Sequence, residues 1–425
     1  MIVKVSPAAC AGRVAAPPSK SIAHRALICA GLAAGESRLT GIGTSEDMSA
    51  TIGALRALGA EVERRDGFCL VRGCGGRPPM QDAQVDCRES GSTLRFMIPL
   101  FALGSGRTRF VGHGRLMQRP QSVYASLFAQ RGLPFALGED GLSVQGPLTP
   151  GEYALDGGVS SQFITGLLLA LPLLAGDSRI VIRPPFQSRG YVDLTLQALA
   201  AFGVRAAFDT ELSLLIPGGQ TYRPCDYSVE GDYSQAAFFA VLAALSGNVT
   251  LTGLRRDSLQ GDQAILSILR DFGAQFCETP EGLRFSAAPL AGRTVDVGDC
   301  PDLAPILTVL GACASGETRL VNAARLRDKE SDRIAAMEEE LGKLGIKTSS
   351  TQDTLTVKGC GGAPRFAPAT VDGHNDHRIV MSLAVLATLG SAPLRITGAE
   401  AVRKSYPDFF DDLARIGGAT EVEHE

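Results

Sequence analysis

The chain has 425 residues, 45% of them hydrophobic and 20% charged, a formal net charge of −4 and no tryptophan. That length exceeds what one hydrophobic core ordinarily supports, while the mild acidity and the lack of a long basic stripe argue against a nucleic-acid partner, and apolar runs broken by Gly, Ser or Pro argue against a membrane span. Ten cysteines without a C-x-x-C pair, and no cationic segment leading into an apolar stretch at the start, predict a cytoplasmic chain with reduced thiols, no disulfide and no zinc.

Along the chain one pattern recurs six times at a stagger of about 70 residues: a polar knot, an apolar helix, a strand, a second amphipathic helix and two strands. Before it come two strand-like runs with no helix ahead of them, Ile2-Val3-Lys4-Val5 and Gly12-Arg13-Val14-Ala15. The first helix opens at Pro17-Pro18-Ser19-Lys20-Ser21, with His24 and Arg25 one turn on. Helical spacing puts Ser21 with Arg25, and Lys20 with His24, on shared faces. A hydroxyl, an ammonium and a guanidinium at a helix start suit a phosphate or carboxylate, although a capped helix with exposed charges has the same composition.

The second helix opens at Ser90-Gly91-Ser92 and carries Arg95, with Arg115-Leu116-Met117-Gln118-Arg119-Pro120 downstream. Glycine at a helix start lets a ligand approach the backbone closely. The third opens at Ser160-Ser161-Gln162-Phe163 and is followed by Ser188-Arg189-Gly190-Tyr191, neutral donors and acceptors suited to substrate hydroxyls. The fourth opens at Asp232-Tyr233-Ser234. In the fifth, Cys300-Pro301-Asp302 sets a carboxylate at a helix start, and the charged run 325–333 follows, with Lys329 and Arg333 expected on one helical face beside Glu330. The sixth opens at Asn375-Asp376-His377-Arg378, and Arg403-Lys404-Ser405-Tyr406-Pro407 opens its partner helix. After Gly417 a short polar tail stands where two strands should follow, so the opening residues are expected to supply both.

Six helix starts rich in Ser, Asp and Asn offer six capped N-termini, each equivalent to roughly half a positive charge. Of seven lysines, Lys20, Lys329 and Lys404 fall at or near such starts. The repeat therefore predicts an α/β protein of two globules with three units each, spanning 19–225 and 1–18 plus 226–425, with an anion site in the cleft between them.

In order and over essentially the whole length, Pro18-Ser19-Lys20-Ser21 with His24-Arg25, Arg119-Pro120, Val159-Ser160-Ser161-Gln162-Phe163, Lys329-Glu330-Ser331-Asp332-Arg333 and Asn375-Asp376-His377-Arg378 resemble the 5-enolpyruvylshikimate-3-phosphate synthase family. The resemblance implies the two-domain inside-out α/β barrel of enolpyruvyl transferases. It also implies transfer of the enolpyruvyl group of phosphoenolpyruvate to the 5-hydroxyl of shikimate 3-phosphate, without cofactor or metal, by a monomer. Lys20, Ser21, Arg25, Ser160, Ser161, Gln162, Ser188, Asp302 and Lys329 would then hold shikimate 3-phosphate. Lys20, Gly91, Arg119, Gln162, Arg333, Arg378 and Lys404 would hold phosphoenolpyruvate, with Asp302, Glu330, Lys20 and Lys404 catalytic. Unblocked Gly91 is compatible with glyphosate binding. Two positions depart from the family pattern: Glu89 stands where many relatives carry Asn, and Arg325 where some have Asn. The alternatives are the sister transferase acting on UDP-N-acetylglucosamine, which usually carries a Cys on the loop before its Arg-Pro where 111–118 has none, and a non-catalytic anion-binding relative.

Overall fold

The structure, a computed structural model, describes residues 1–76, 81–139 and 141–423. The chain forms two compact units, Pro18–Glu230 and Met1–Pro17 with Gly231–Glu425. Each has its own apolar core. The contiguous unit contains α1 (Lys20–Leu32), α2 (Glu46–Ala57), α3 (Gly91–Phe101), α4 (Ser122–Gln130), α5 (Ser161–Ala170) and α6 (Arg189–Ala201). The discontinuous unit contains α7 (Tyr233–Ser246), α8 (Ile265–Phe272), α9 (Ala304–Cys313), α10 (Arg333–Lys343), α11 (His377–Leu389) and α12 (Phe409–Arg415).

Odd-numbered helices differ in kind from even-numbered ones, except that α10 is rooted in the core by Arg333 and Glu340. The odd ones keep their charged residues within the first two turns and are apolar beyond, so nearly every residue is buried. In the discontinuous unit α7, α9 and α11 pack on one another, and in the contiguous unit α3 packs on α5. Helices form the centre of each unit, and among the described residues six four-stranded sheets surround them. Each sheet has one parallel pair and two antiparallel pairs. In one, Ala83–Asp86 runs parallel to Arg107–Val111, which pairs antiparallel with Gly141–Gln145, itself paired with Phe135–Gly138.

Two expectations need correction. The polar tail is itself a strand, Ala419–Glu423, and one opening strand rather than two completes this sheet, in the order Ala369–Asp372, Leu394–Thr397, Ile2–Ser6, Ala419–Glu423. The second opening strand, Gly12–Ala15, instead pairs parallel with Val249–Thr252 in the fourth unit. Composition misleads here because an edge strand exposes one face and is normally rich in charge: Glu421 meets Lys4 at 3.3 Å and Glu423 meets Arg395 Nε at 2.7 Å, while Val3 and Val5 point into the core.

The capping expectation holds at four of the six buried helices. Ser90, Ser160, Asp232 and Asp376 each accept a hydrogen bond from a first-turn backbone N–H. Ser19 makes no such bond at α1, and α9 continues from a 3-10 turn, Pro301–Leu303, in which the Asp302 carboxylate is drawn to side-chain cations instead of capping. At α11 the cap is Asp376 rather than Asn375.

All ten cysteines are free, and burial pushes the thiols of Cys29, Cys87 and Cys300 up, which keeps them protonated and unreactive. Among the described residues no helix is long and apolar enough to cross a membrane.

Candidate active site

In the contiguous unit the polar starts of α1, α3 and α5 carry one set of side chains. Lys20 opens α1 and donates to Asp47 Oδ2 of α2 at 2.8 Å. Arg25, 2% exposed, is held on four sides: Nε to Thr195 Oγ1 at 2.8 Å, Nη1 to the Ser21 carbonyl at 2.6 Å, and Nη2 to the Tyr191 carbonyl at 2.9 Å and Thr165 Oγ1 at 3.2 Å. Burial lowers its guanidinium to about 10, so it stays charged at neutral pH. The same burial, with Lys20 and Arg25 adding repulsion, pushes His24 well below the ordinary range. His24 is therefore a neutral ring, joined through Thr51 (2.7 Å) and Thr93 (2.7 Å) to Ser90 (2.8 Å) across α1, α2 and α3.

Gln162 lies in the first turn of α5, whose N-cap is Ser160. Its Oε1 accepts from Arg95 Nη1 at 2.6 Å and its Nε2 donates to Ser92 Oγ at 2.9 Å. Arg95 also donates to the Pro120 carbonyl at 3.0 Å, which ties the Arg119-Pro120 segment to α3. Gly91 and Arg119 are in contact: a Cβ added at Gly91 would lie 2.7 Å from Arg119 Nη1. Ser161 and Ser188 are buried, Ser188 in a left-handed conformation (φ 58°) at the start of α6. The Glu89 carboxylate lies against Gly114.

In the discontinuous unit Asp302 is the centre. Its Oδ1 accepts from Arg333 Nη1 at 2.9 Å and Lys329 Nζ at 3.2 Å, its Oδ2 from Arg378 Nη2 at 3.1 Å, and its carbonyl from Arg378 Nη1 at 3.0 Å. Burial opposes the charged form of Asp302, but Arg378, Lys329 and Arg333 outweigh it and hold the carboxyl well below the usual range. Arg333, 2% exposed, also donates to Asp376 at 2.8 Å and to Glu330 at 2.8 Å. Lys404 closes a 3-10 turn, Ala399–Lys404, and donates to the Asn375 carbonyl at 2.6 Å. Its neighbour Ser405 accepts from Gln235 of α7 at 2.5 Å.

Lys329 and Arg333 do not share a helical face. The Asp332 side chain accepts from Ala335 N and starts α10 at Arg333, so Lys329 lies ahead of the helix and meets Arg333 through Asp302. Burial, with Arg333 and Arg325 adding repulsion against the pull of Asp302, lowers Lys329 to about 8.

Sequence reasoning missed Asp47 and Asp262, and it named Arg95 and Asp376 at helix starts without giving them a place in the site. Asp376 is fully buried and ionised, because Arg333 outweighs the cost of burial. Asp262 is buried beside Asp302, and burial together with that neighbouring charge raises it to about 7. Asp47 and Asp376 were signalled by their place in a helix first turn or cap, whereas nothing local to Gln260-Gly261-Asp262 marks it.

Residues 5–413 match the family model described as EPSP synthase (3-phosphoshikimate 1-carboxyvinyltransferase). A 3-phosphoshikimate 1-carboxyvinyltransferase of Clostridium beijerinckii is 42% identical over 98% of this chain and 97% of its own length, and one of Clostridioides difficile is 38% identical over the same shares. The EPSP synthase structure from Acinetobacter baumannii superposes with a TM-score of 0.82 at 27% identity over 100% of both chains. An enolpyruvyl transferase from Streptomyces tendae, 16% identical, shares the fold with a TM-score of 0.79 over 99% of this chain and 98% of its own. With a family model spanning nearly the whole chain and relatives of about 40% identity along its full length, the chain belongs to the EPSP synthase family.

Proposed function

We propose that this chain transfers the enolpyruvyl group of phosphoenolpyruvate to the 5-hydroxyl of shikimate 3-phosphate and releases phosphate. The observation that carries the reading is one carboxylate, Asp302, hydrogen-bonded to Lys329, Arg333 and Arg378 together. Such a group accepts a hydrogen bond from a substrate hydroxyl, while its cationic neighbours remain available to substrate anions.

In this reading Lys20, Ser21, Arg25, Ser160, Ser161, Gln162, Ser188 and Lys329 hold shikimate 3-phosphate, and Arg25 also braces α1 against α5 and α6. Lys20, Gly91, Arg119, Gln162, Arg333, Arg378 and Lys404 hold phosphoenolpyruvate. Asp302 takes the proton of the 5-hydroxyl as its oxygen bonds to C2 of phosphoenolpyruvate, and Glu330 or Lys404 protonates the methylene carbon, giving a tetrahedral ketal phosphate. Loss of a methyl proton and cleavage of the C–O bond to phosphate then regenerate the enol ether. Three cations make unliganded Asp302 a weak base. Phosphoenolpyruvate sharing Arg333 and Arg378 would draw them from it and raise its basicity as the second substrate arrives. A monomeric cytoplasmic enzyme fits this reading.

Phosphate release with both substrates tests it. Asp302→Ala is expected to lower turnover by about 10²–10⁴-fold, the usual worth of a general base, with the fold intact by circular dichroism. Near-normal turnover in that variant removes Asp302 from the mechanism. Phosphate release with UDP-N-acetylglucosamine instead of shikimate 3-phosphate would favour the sister transferase.

A further inference from the structure

One side of α10 clasps the turn that leads into α11. Arg333 and Glu340 are seven residues apart and so share a face, roughly 10 Å from each other along the axis. At one end Arg333 donates to both carboxylate oxygens of Asp376, at 2.8 and 3.3 Å. At the other, Glu340 is fully buried; its Oε2 accepts the backbone N–H of Asp372 at 3.0 Å and its Oε1 meets His374 Nε2 at 2.6 Å. The turn is thus gripped at 372, 374 and 376. Its remaining non-glycine residue, Asn375, has φ 50° and follows His374 at φ 51°, two consecutive left-handed residues that side chains seldom adopt unless held. The Asn375 carbonyl, set by those two conformations, accepts the Lys404 ammonium at 2.6 Å.

We propose that Glu340 and His374 are positioning residues for Lys404: by clasping the 372–376 turn they fix the Asn375 carbonyl, and the carbonyl fixes the ammonium. The inference rests on the reading of Lys404 as a ligand of phosphoenolpyruvate.

Charges around the pair support a role that depends on protonation. His374 faces Glu339, Glu340 and Asp372, and Lys343 lies across Glu340 at 2.8 and 2.9 Å and Glu339 at 3.1 Å. Glu339, Glu340 and His374 bring their ligand atoms within 4.8 Å of one another, but the Lys343 ammonium already supplies a cation to both carboxylates. The hydrogen bond to Glu340 raises His374 against the opposing effect of burial, so the imidazolium persists above its ordinary range and is lost as pH climbs through the raised value. The clasp weakens in that direction.

Steady-state kinetics of the full chain with both substrates test the proposal. His374→Asn tolerates the left-handed conformation but is too short to reach Glu340. It is expected to raise KM for phosphoenolpyruvate about tenfold, the scale of a displaced charge-assisted hydrogen bond, while KM for shikimate 3-phosphate stays within about twofold. Wild-type kcat/KM for phosphoenolpyruvate declines on the alkaline side of the His374 titration. His374→Gln, which keeps a donor near the carboxylate, retains most of the affinity but loses that limb, and it carries the test if His374→Asn does not fold. An unchanged KM for phosphoenolpyruvate in folded His374→Asn, an equal rise in both KM values, or an unaltered alkaline limb in His374→Gln overturns the positioning role. Lys404→Gln separates the two readings. If it leaves phosphoenolpyruvate affinity intact, the assignment of Lys404 fails; if it weakens affinity while His374→Asn does not, the clasp alone fails.

Discussion

At the scale of single residues, charge and close approach decide the chemistry. Lys329 is lowered to about 8 by burial, so free enzyme loses this cation as pH rises past that value. In the functional reading above, KM for shikimate 3-phosphate then climbs from about pH 8 upward, and a pH series of initial rates checks it. A pH-independent KM through pH 9 would remove Lys329 from phosphate binding. Gly91 offers a second test. A Cβ there would press on the Arg119 guanidinium, a movable group, so Gly91→Ala is expected to leave stability within about 0.5 kcal/mol while raising KM for phosphoenolpyruvate about tenfold. Most of the cations at these positions were legible in the sequence because they fall beside helix starts. Their partners were less so. A carboxylate such as Asp262 is set beside Asp302 by tertiary packing, and no spacing along the chain encodes that contact.

At the scale of elements, the buried helices were legible because an apolar surface on every side leaves a helix nowhere to lie but inside. What they pack against was not. Gly166 of α5 shows the tightness: a Cβ there would meet the Tyr124 hydroxyl and the Arg95 carbonyl oxygen of α3. Tyr124 in turn donates to the Arg95 and Phe163 carbonyls at 2.8 and 3.1 Å, so neither neighbour moves cheaply. Gly166→Ala is expected to destabilise the fold by about 1–3 kcal/mol, read as a lower denaturant midpoint. Because Arg95 holds Gln162 at the start of the same helix, activity should fall as well. The start of α10 was misread for a related reason. Periodicity extends a helix through any run of charged residues, whereas the Asp332 cap ends it in space.

At the scale of the whole molecule, the repeat showed six units, but pairing of distant strands decided which segment completes which sheet. The contiguous unit carries its own core and all strands of its sheets, from Glu36–Thr40 to Tyr227–Ser228. A fragment spanning 18–230 is therefore expected to melt cooperatively alone. A fragment spanning 231–425 lacks Ile2–Ser6 and Gly12–Ala15, which leaves Ala419–Glu423 without a partner and opens one edge each of Leu394–Thr397 and Val249–Thr252, which keep only Ala369–Asp372 and Gly282–Ser286. It should aggregate unless a peptide of residues 1–17 is added, by light scattering and circular dichroism. A soluble, cooperatively folded 231–425 would show that those strands are dispensable.

The pairing of Val5 with Leu394 also sets a timetable. A ribosome adding about 5–20 residues each second needs roughly 20–80 s to travel between the two. Over that interval an apolar ribbon bearing Ile2, Val3 and Val5 trails from the nascent polypeptide with nothing to dock on, while the segment ending near Glu230 emerges entire and can settle. Chaperone capture during translation should accordingly concentrate on the leading residues and relax when the last sheet closes.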